Sequence, residues 1–199
     1  MPEMAKTCLE SWKEKLPDFE IVRWDETNSP MTAPYVQYMY KAKKWAFVSD
    51  YIRFWVLAKE GGIYLDTDSL VLKHFGPELV DSTEFNTFFG KMQDGYIGCG
   101  VIGAEANSPF IKAILADYET TDPNMFETCP QVVTRMYNVL KPSHVKLFDT
   151  KYLNPCTQEE KRTPEKLKDA YVDNLYAESW VRFSKLKKFA RPILSKLGI

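Results

Sequence analysis

The stretch from Trp45 to Asp68, WAFVSDYIRFWVLAKEGGIYLDTD, restricts the possible folds more than any other part of the chain. From Ala46 to Lys59 it is apolar on nearly every side except at Ser49, Asp50, Arg53 and Lys59, which is how a helix buried over most of its surface reads. Ser49, Asp50 and Arg53 are therefore expected in or beside a core. Gly61 and Gly62 follow at once, and a glycine pair takes the left-handed conformations that stop a helix and reverse the chain. Ile63, Tyr64 and Leu65 then supply a strand that runs into Asp66-Thr67-Asp68. Side chains two apart on an extended backbone point to the same side, so the two carboxylates converge at a strand end.

Like charges a few ångströms apart repel, and a divalent cation between them is the usual remedy. Carboxylate oxygens are hard ligands suited to Mg²⁺, Mn²⁺ or Ca²⁺, and with only two of them water or a phosphate must complete the shell. The pattern favours a metal-diphosphate site. Asp-x-Asp alone is more often a solvated acidic turn; its position after an apolar strand and a Gly-Gly turn makes it more specific.

Ser49-Asp50-Tyr51-Ile52-Arg53 followed by Gly61-Gly62-Ile63-Tyr64-Leu65-Asp66-Thr67-Asp68 resembles the central motif of the family-32 glycosyltransferases. These include Och1-like mannosyltransferases and bacterial capsular polysaccharide enzymes, and the sugar-transferring domain of large clostridial toxins shares the pattern. Glu20 to Trp24 and Tyr96 to Glu105 are similar to flanking family segments, and the likeness covers roughly residues 4 to 120. The resemblance implies a single GT-A-like α/β domain over residues 1–180, a mixed central sheet flanked by helices. Family members carry a further strand ahead of the first helix; nothing before Met4 supplies it, so a sheet without that strand is expected.

The resemblance also implies an activity and a site. The activity is metal-dependent transfer, with retention of anomeric configuration, from a UDP- or GDP-sugar to a glycan or lipid-linked acceptor. Asp68 would ligate Mn²⁺ or Mg²⁺ directly, and Asp66 would touch the sugar or ribose and reach the metal through water. Asp50 would hold donor-sugar hydroxyls and Arg53 a phosphate, with Ser49 and Tyr64 also at the donor. The catalytic set is Asp50, Arg53 and Asp66. Ser179-Trp180 is similar to a Ser-Trp pair that family enzymes place near the metal and diphosphate, although the family histidines are absent, with Asn174 and Leu175 nearby instead. An ordinary aromatic anchor explains Trp180 equally well. A side-chain amide that meets the donor sugar in the family is replaced here by Gly98 or Cys99.

Two other classes compete. Ile63 to Asp68 also fits the strand-Asp-x-Asp opening of haloacid-dehalogenase-like phosphatases, whose first Asp is a nucleophile, but no Gly-Asp-x-x-x-Asp cluster follows Asp68. The other is a non-catalytic remnant that binds metal, sugar nucleotide or a partner.

At 199 residues, with 45% apolar and 14% aromatic content, the chain suffices for one domain with a substantial core and is not disordered. A net charge of -1 argues against a nucleic-acid binder. The charge is uneven: residues 181–199 hold Arg182, Lys185, Lys187, Lys188, Arg191 and Lys196 and no acid. Phe183, Leu186, Phe189 or Ala190, Ile193 or Leu194, and Leu197 recur there at helical spacing, with Pro192 expected to kink or divide the helix, the pattern of an anchor at an anionic membrane surface or of a helix packed on the domain. Cys8, Cys99, Cys129 and Cys156 form no Cys-x-x-Cys pair and read as buried thiols in a reducing cytosol. No 18-residue apolar run exists, and a cytoplasmic location, peripheral at the inner membrane face, is expected.

Along the rest of the chain, helices are expected at residues 3–16, Tyr35 to Lys44, Ser108 to Glu119 and Pro130 to Leu140. A buried strand is expected at Phe19 to Trp24, with others at Phe85 to Gly90, Gly98 to Gly103 and Val145 to Phe148. The glycines of Gly98 to Gly103 are expected to admit a ligand or another backbone. Thr163-Pro164-Glu165 opens a helix continued by the period of Leu167, Ala170, Tyr171, Asn174 and Leu175.

Overall fold

The computed structural model describes residues 2–177; Ser179, Trp180 and the basic tail lie outside the described residues. The amphipathic first helix, α1 (Glu3–Lys15), buries Cys8 and stops ahead of Pro17. Its Trp12 indole donates to the Ser69 carbonyl at 2.7 Å and its Ser11 hydroxyl accepts the Val71 N–H at 3.0 Å, which fixes it against the segment after the acidic motif.

The strand expected at Phe19 to Trp24 does not form. These residues join no ladder, and Ile21 and Val22 are exposed, Val22 by 55%. A strand persists only where a neighbour takes its backbone groups. Trp24 instead sets its edge against Trp55, with ring centroids 5.9 Å apart.

Helices α2 (Pro34–Lys41) and α3 (Trp45–Glu60) follow, and α3 buries Val48, Tyr51, Phe54 and Leu57 together with Asp50 and Arg53. Gly61 (φ 69°) and Gly62 (φ 95°) turn the chain as expected. A Cβ on Gly61 would lie 2.5 Å from the Ala106 nitrogen, so the turn also needs the missing side chain.

After the turn come β1 (Gly62–Leu65), β2 (Ser69–Val71), the one-turn α4 (Pro77–Val80), β3 (Thr87–Lys91) and β4 (Ile97–Ala104). Then follow α5 (Pro109–Thr120), α6 (Cys129–Leu140), β5 (Val145–Phe148), α7 (Thr150–Leu153), α8 (Pro164–Leu167) and β6 (Val172–Asn174). The main sheet has the order β1-β4-β3-β5, with β1, β4 and β3 antiparallel and β5 parallel to β3. Strand neighbours alternate between two cores: Phe89 and Ile102 face α3, α5 and α6, while Phe88 and Val101 face Leu79, Phe75 and Tyr171. Burial on both faces explains why β3 and β4 lack a polar side.

The helix expected from Thr163 onward ends at Leu167, and Val172–Asn174 is a strand antiparallel to β2. Both Leu70 and Asp173 and both Ser69 and Asn174 are paired across it, so backbone bonding to a distant segment overrides a weak helical period. All four cysteines are free and buried, as expected. Among the described residues no helix is long and apolar enough to cross a membrane.

Candidate active site

Asp50 and Arg53 stand one helical turn apart on the face of α3 that meets the open end of β1. The Arg53 guanidinium is the hub. Its Nη2 lies 2.7 Å from Asp50 Oδ1 and 3.4 Å from the Ser49 hydroxyl. Nη1 donates to the Cys99 carbonyl at 2.7 Å and lies 3.5 Å from Asp66 Oδ1. Nε faces the Ser49 carbonyl at 3.4 Å, and the Tyr64 ring stacks on the whole group, 4.7 Å to its centroid. Three hydrogen bonds and two ion pairs thus engage the guanidinium. The side chain holds Asp50, Asp66 and β4 in place and also lines the cavity.

Burial opposes the Arg53 charge, yet Tyr64, Asp66 and Asp50 outweigh it and keep the group protonated. Burial pushes the Asp50 carboxyl up to about 6, with Arg53 and the Cys129 backbone N–H pulling the other way. That N–H belongs to the first residue of α6, whose N-terminus is built by Thr128 donating its N–H to Gln131 Oε1 at 2.8 Å. A helix N-terminus favours negative charge, which places Asp50 between a guanidinium and a helix end.

Asp66 and Asp68 are each half engaged. The Tyr64 hydroxyl donates to Asp66 Oδ1 at 2.7 Å, and Asp68 Oδ2 accepts the Ala177 N–H at 2.9 Å. Asp66 Oδ2 and Asp68 Oδ1 have no hydrogen-bond partner among the described residues. Burial raises the Asp68 carboxyl above its ordinary value, and the neighbouring Asp66 charge adds to this. Tyr64 does not line the cavity; its ring carries Arg53 and its hydroxyl aims Asp66. Among the described residues no third His, Cys, Asp or Glu joins the two aspartates. Two carboxylates, each with one oxygen unpartnered among the described residues, suit a divalent ion that takes its remaining ligands from water and a diphosphate.

These groups open into one cavity of about 480 Å³, lined by Ser49, Asp50, Arg53, Asp66, Thr67 and Asp68 on one side and by Asn154, Asn174 and Ala177 on the other. The size is that of a nucleotide or small-molecule site. The motif residues Ser49, Asp50, Arg53, Asp66 and Asp68 come together here; Ser179 and Trp180 follow Ala177 in the chain but lie outside the described residues.

The sequence reading missed an amide relay on the cavity floor. The Ser69 hydroxyl donates to Asn174 Oδ1 at 2.8 Å, and Asn174 Nδ2 donates to Asn154 Oδ1 at 2.8 Å. Asn154 Nδ2 donates to the Lys91 carbonyl at 3.1 Å. A Cβ on Gly98 would lie 2.8 Å from Asn154 Nδ2, and one on Gly100 3.1 Å from Asn174 Oδ1 and 3.2 Å from Asp66 Oδ2. The glycines of β4 therefore admit side chains of this chain, and the space beside Gly98 already holds an amide. Cys99 turns away into the core. Asn154 lies more than 80 residues from the motif, and no local spacing could have announced it.

Residues 2–86 match the family model described as a glycosyltransferase sugar-binding region containing the DXD motif. An uncharacterized glycosyltransferase, L373, of Acanthamoeba polyphaga mimivirus is 28% identical over 164 residues, 77% of this chain. The chain spans 65% of that relative's length. Among solved structures, PaToxG glycosyltransferase superposes with a TM-score of 0.53 at 21% identity, covering 71% of this chain and 64% of that one. A glycosyltransferase involved in the glycosylation of the major capsid of PBCV-1 gives 0.52 at 16% identity over 93% of each chain. The two superpositions establish the fold, which is of the GT-A type. With the matched motif region on that fold, the chain is similar to the DXD-containing glycosyltransferases.

Proposed function

We propose that this chain transfers a sugar from a UDP- or GDP-linked donor to a glycan or lipid-linked acceptor, with Mn²⁺ or Mg²⁺ held by Asp66 and Asp68 and with retention at the anomeric carbon. The observation that carries the reading is the pair of half-engaged aspartates, each with one oxygen unpartnered among the described residues, just beyond the end of β1 in a cavity of about 480 Å³. In such a transfer the bond from the anomeric carbon to phosphate breaks and the leaving nucleoside diphosphate gains negative charge. A divalent ion supplies Lewis-acid neutralisation of that charge. Asp50, ionised and aimed by Arg53 and the start of α6, accepts hydrogen bonds from donor-sugar hydroxyls. Arg53 keeps Asp50 and Asp66 in register and adds positive charge to the cavity wall. Asn154 and Asn174, held in their relay with Ser69, complete the opposite wall. Ser179 and Trp180 are assigned to the diphosphate through the family resemblance.

Calorimetry with UDP and GDP in the presence of Mn²⁺ tests the metal role. Asp68 also fastens Ala177, so Asp68→Asn, whose amide oxygen still accepts that N–H, is a better variant than Asp68→Ala. The expected result is a loss of affinity of at least about tenfold, or about 1.4 kcal/mol, with an unchanged melting temperature. Equal affinity in the variant would refute the assignment. Release of free nucleoside diphosphate from a panel of nucleotide sugars then separates a transferase from a protein that only binds them.

The same proposal places the protein at the cytoplasmic face of an anionic membrane, held there by the basic tail of residues 181–199. Support comes from composition: six positive charges without an acid, each worth about 1 kcal/mol near an anionic surface.

A further inference from the structure

The wall of the cavity formed by the first turn of α3 is aromatic and open. Trp45 lines the cavity together with Asp50 and is 50% exposed, although an indole buries well. Tyr40 meets it edge to face, with centroids 4.9 Å apart and planes at 80°, which sets the orientation of the indole. Phe47, also in the lining, packs on the exposed Phe126 at 5.6 Å, and the Lys44 ammonium sits 4.6 Å over the Phe126 ring. Three separate segments thus bring apolar surface to one rim. Exposed apolar surface gathered beside a polar cavity marks a place where something binds.

The order of groups along α3 says what that is. Arg53 stands beside Asp66, at the carboxylate end; Asp50 comes next; Trp45 is five residues further toward the N-terminus, roughly 7.5 Å along the axis. A diphosphate at the aspartates and a sugar at Asp50 leave the rim for the molecule that approaches the sugar from outside. We infer that the rim is the acceptor subsite and that Trp45 receives the apolar face of a pyranose ring. This rests on the sugar-transfer reading and adds the acceptor's class, a carbohydrate, and its position.

The chemistry suits the residue. One face of a pyranose presents axial C–H groups with partial positive charge, and the face of an indole is electron-rich. A tryptophan held by a neighbour loses little side-chain entropy on binding because it has only two side-chain torsions.

Saturation-transfer NMR of the full-length protein with methyl α-mannopyranoside, methyl β-glucopyranoside and methyl β-galactopyranoside tests the inference. Transfer to the axial protons of at least one glycoside is expected in the wild type, lost in Trp45→Ala and retained in Trp45→Phe. UDP and GDP titrations with Mn²⁺ on the same samples are expected to give equal affinities in all three proteins, which also shows that the variants are folded. No transfer in the wild type, or equal transfer in Trp45→Ala, overturns the inference. So does a parallel fall in nucleotide affinity, since Trp45 would then be a platform for the donor base. If nucleotide binding instead fails in every protein while Trp45-dependent glycoside contact persists, the sugar-transfer reading falls and the carbohydrate site stands.

Discussion

Asp50 shows how a single side chain can be legible in type and illegible in environment. A carboxylate on an otherwise apolar helix face must have a partner, and Arg53 one turn away is the natural one. That Arg53 also reaches the Cys99 carbonyl, and that the start of α6 donates to Asp50, depends on segments 46 or more residues distant. The environment has a measurable consequence. Burial raises the Asp50 carboxyl from 3.8 to about 6 in the folded protein. Its contribution to stability is therefore complete below pH 3.8 and is lost as the pH rises through about 6, because the folded state holds the proton more tightly than the unfolded one. Asp50→Asn does not titrate. Its stability relative to wild type should improve between pH 4 and pH 7, by on the order of 1–3 kcal/mol. Urea midpoints of the two proteins in chelator read this directly, and a gap that does not change with pH would contradict the assigned environment.

Among the elements, β4 and its glycines carry the tightest constraint. Glycine in a strand weakens it unless something occupies the space left by the side chain. At Gly103 the space is filled by the Phe88 ring, at Gly100 by Asn174 and Asp66, and at Gly98 by Asn154. Gly103→Ala would drive a methyl into a buried ring that cannot swing aside, and should cost about 1–3 kcal/mol by the urea midpoint. The cost should shrink in a Phe88→Ala background, and a full cost there would mean that Phe88 is not the obstacle. Glycine richness in this strand was visible from sequence, but the neighbours were not: they come from residues 88, 154 and 174, joined to β4 only by folding.

For the whole molecule the open question is how the domain meets its surroundings, and the proposed membrane contact belongs at this scale because it depends on the summed charge of a segment. Six basic residues in the last nineteen positions should bind anionic vesicles in a salt-sensitive way, since exposed charges are screened within about 8 Å at physiological ionic strength. Sedimentation with anionic and neutral vesicles, comparing the full chain with a version ending at Trp180, is expected to show binding only for the full chain on anionic lipid, with loss at high salt. Equal behaviour of the two versions would remove the anchor.

What the sequence determined by itself was local: a buried α3, the Gly61-Gly62 reversal, the short β1 and two aspartates on one side of its end. The first three follow from side-chain period and backbone freedom at glycine, acting over a few residues. The start of α5 at its Ser108 cap was of the same kind. The aspartates meet differently from the expected extended repeat, because β1 ends at Leu65 and Thr67-Asp68 form a turn closed by the Ser69 N–H on the Asp66 carbonyl at 2.9 Å. Tertiary structure decided the rest, because ladders and cavity walls join residues far apart in the chain. Phe19 to Trp24 has strand composition but no neighbour to take its backbone groups, so it joins no ladder and leaves Ile21 and Val22 exposed. Val172 to Asn174 sits within a helical period yet becomes β6, because β2 offers the partner that Phe19 to Trp24 lacks. The same pairing brings Asn174 to Ser69 and Asn154, and so completes a cavity wall that no motif in the chain spelled out.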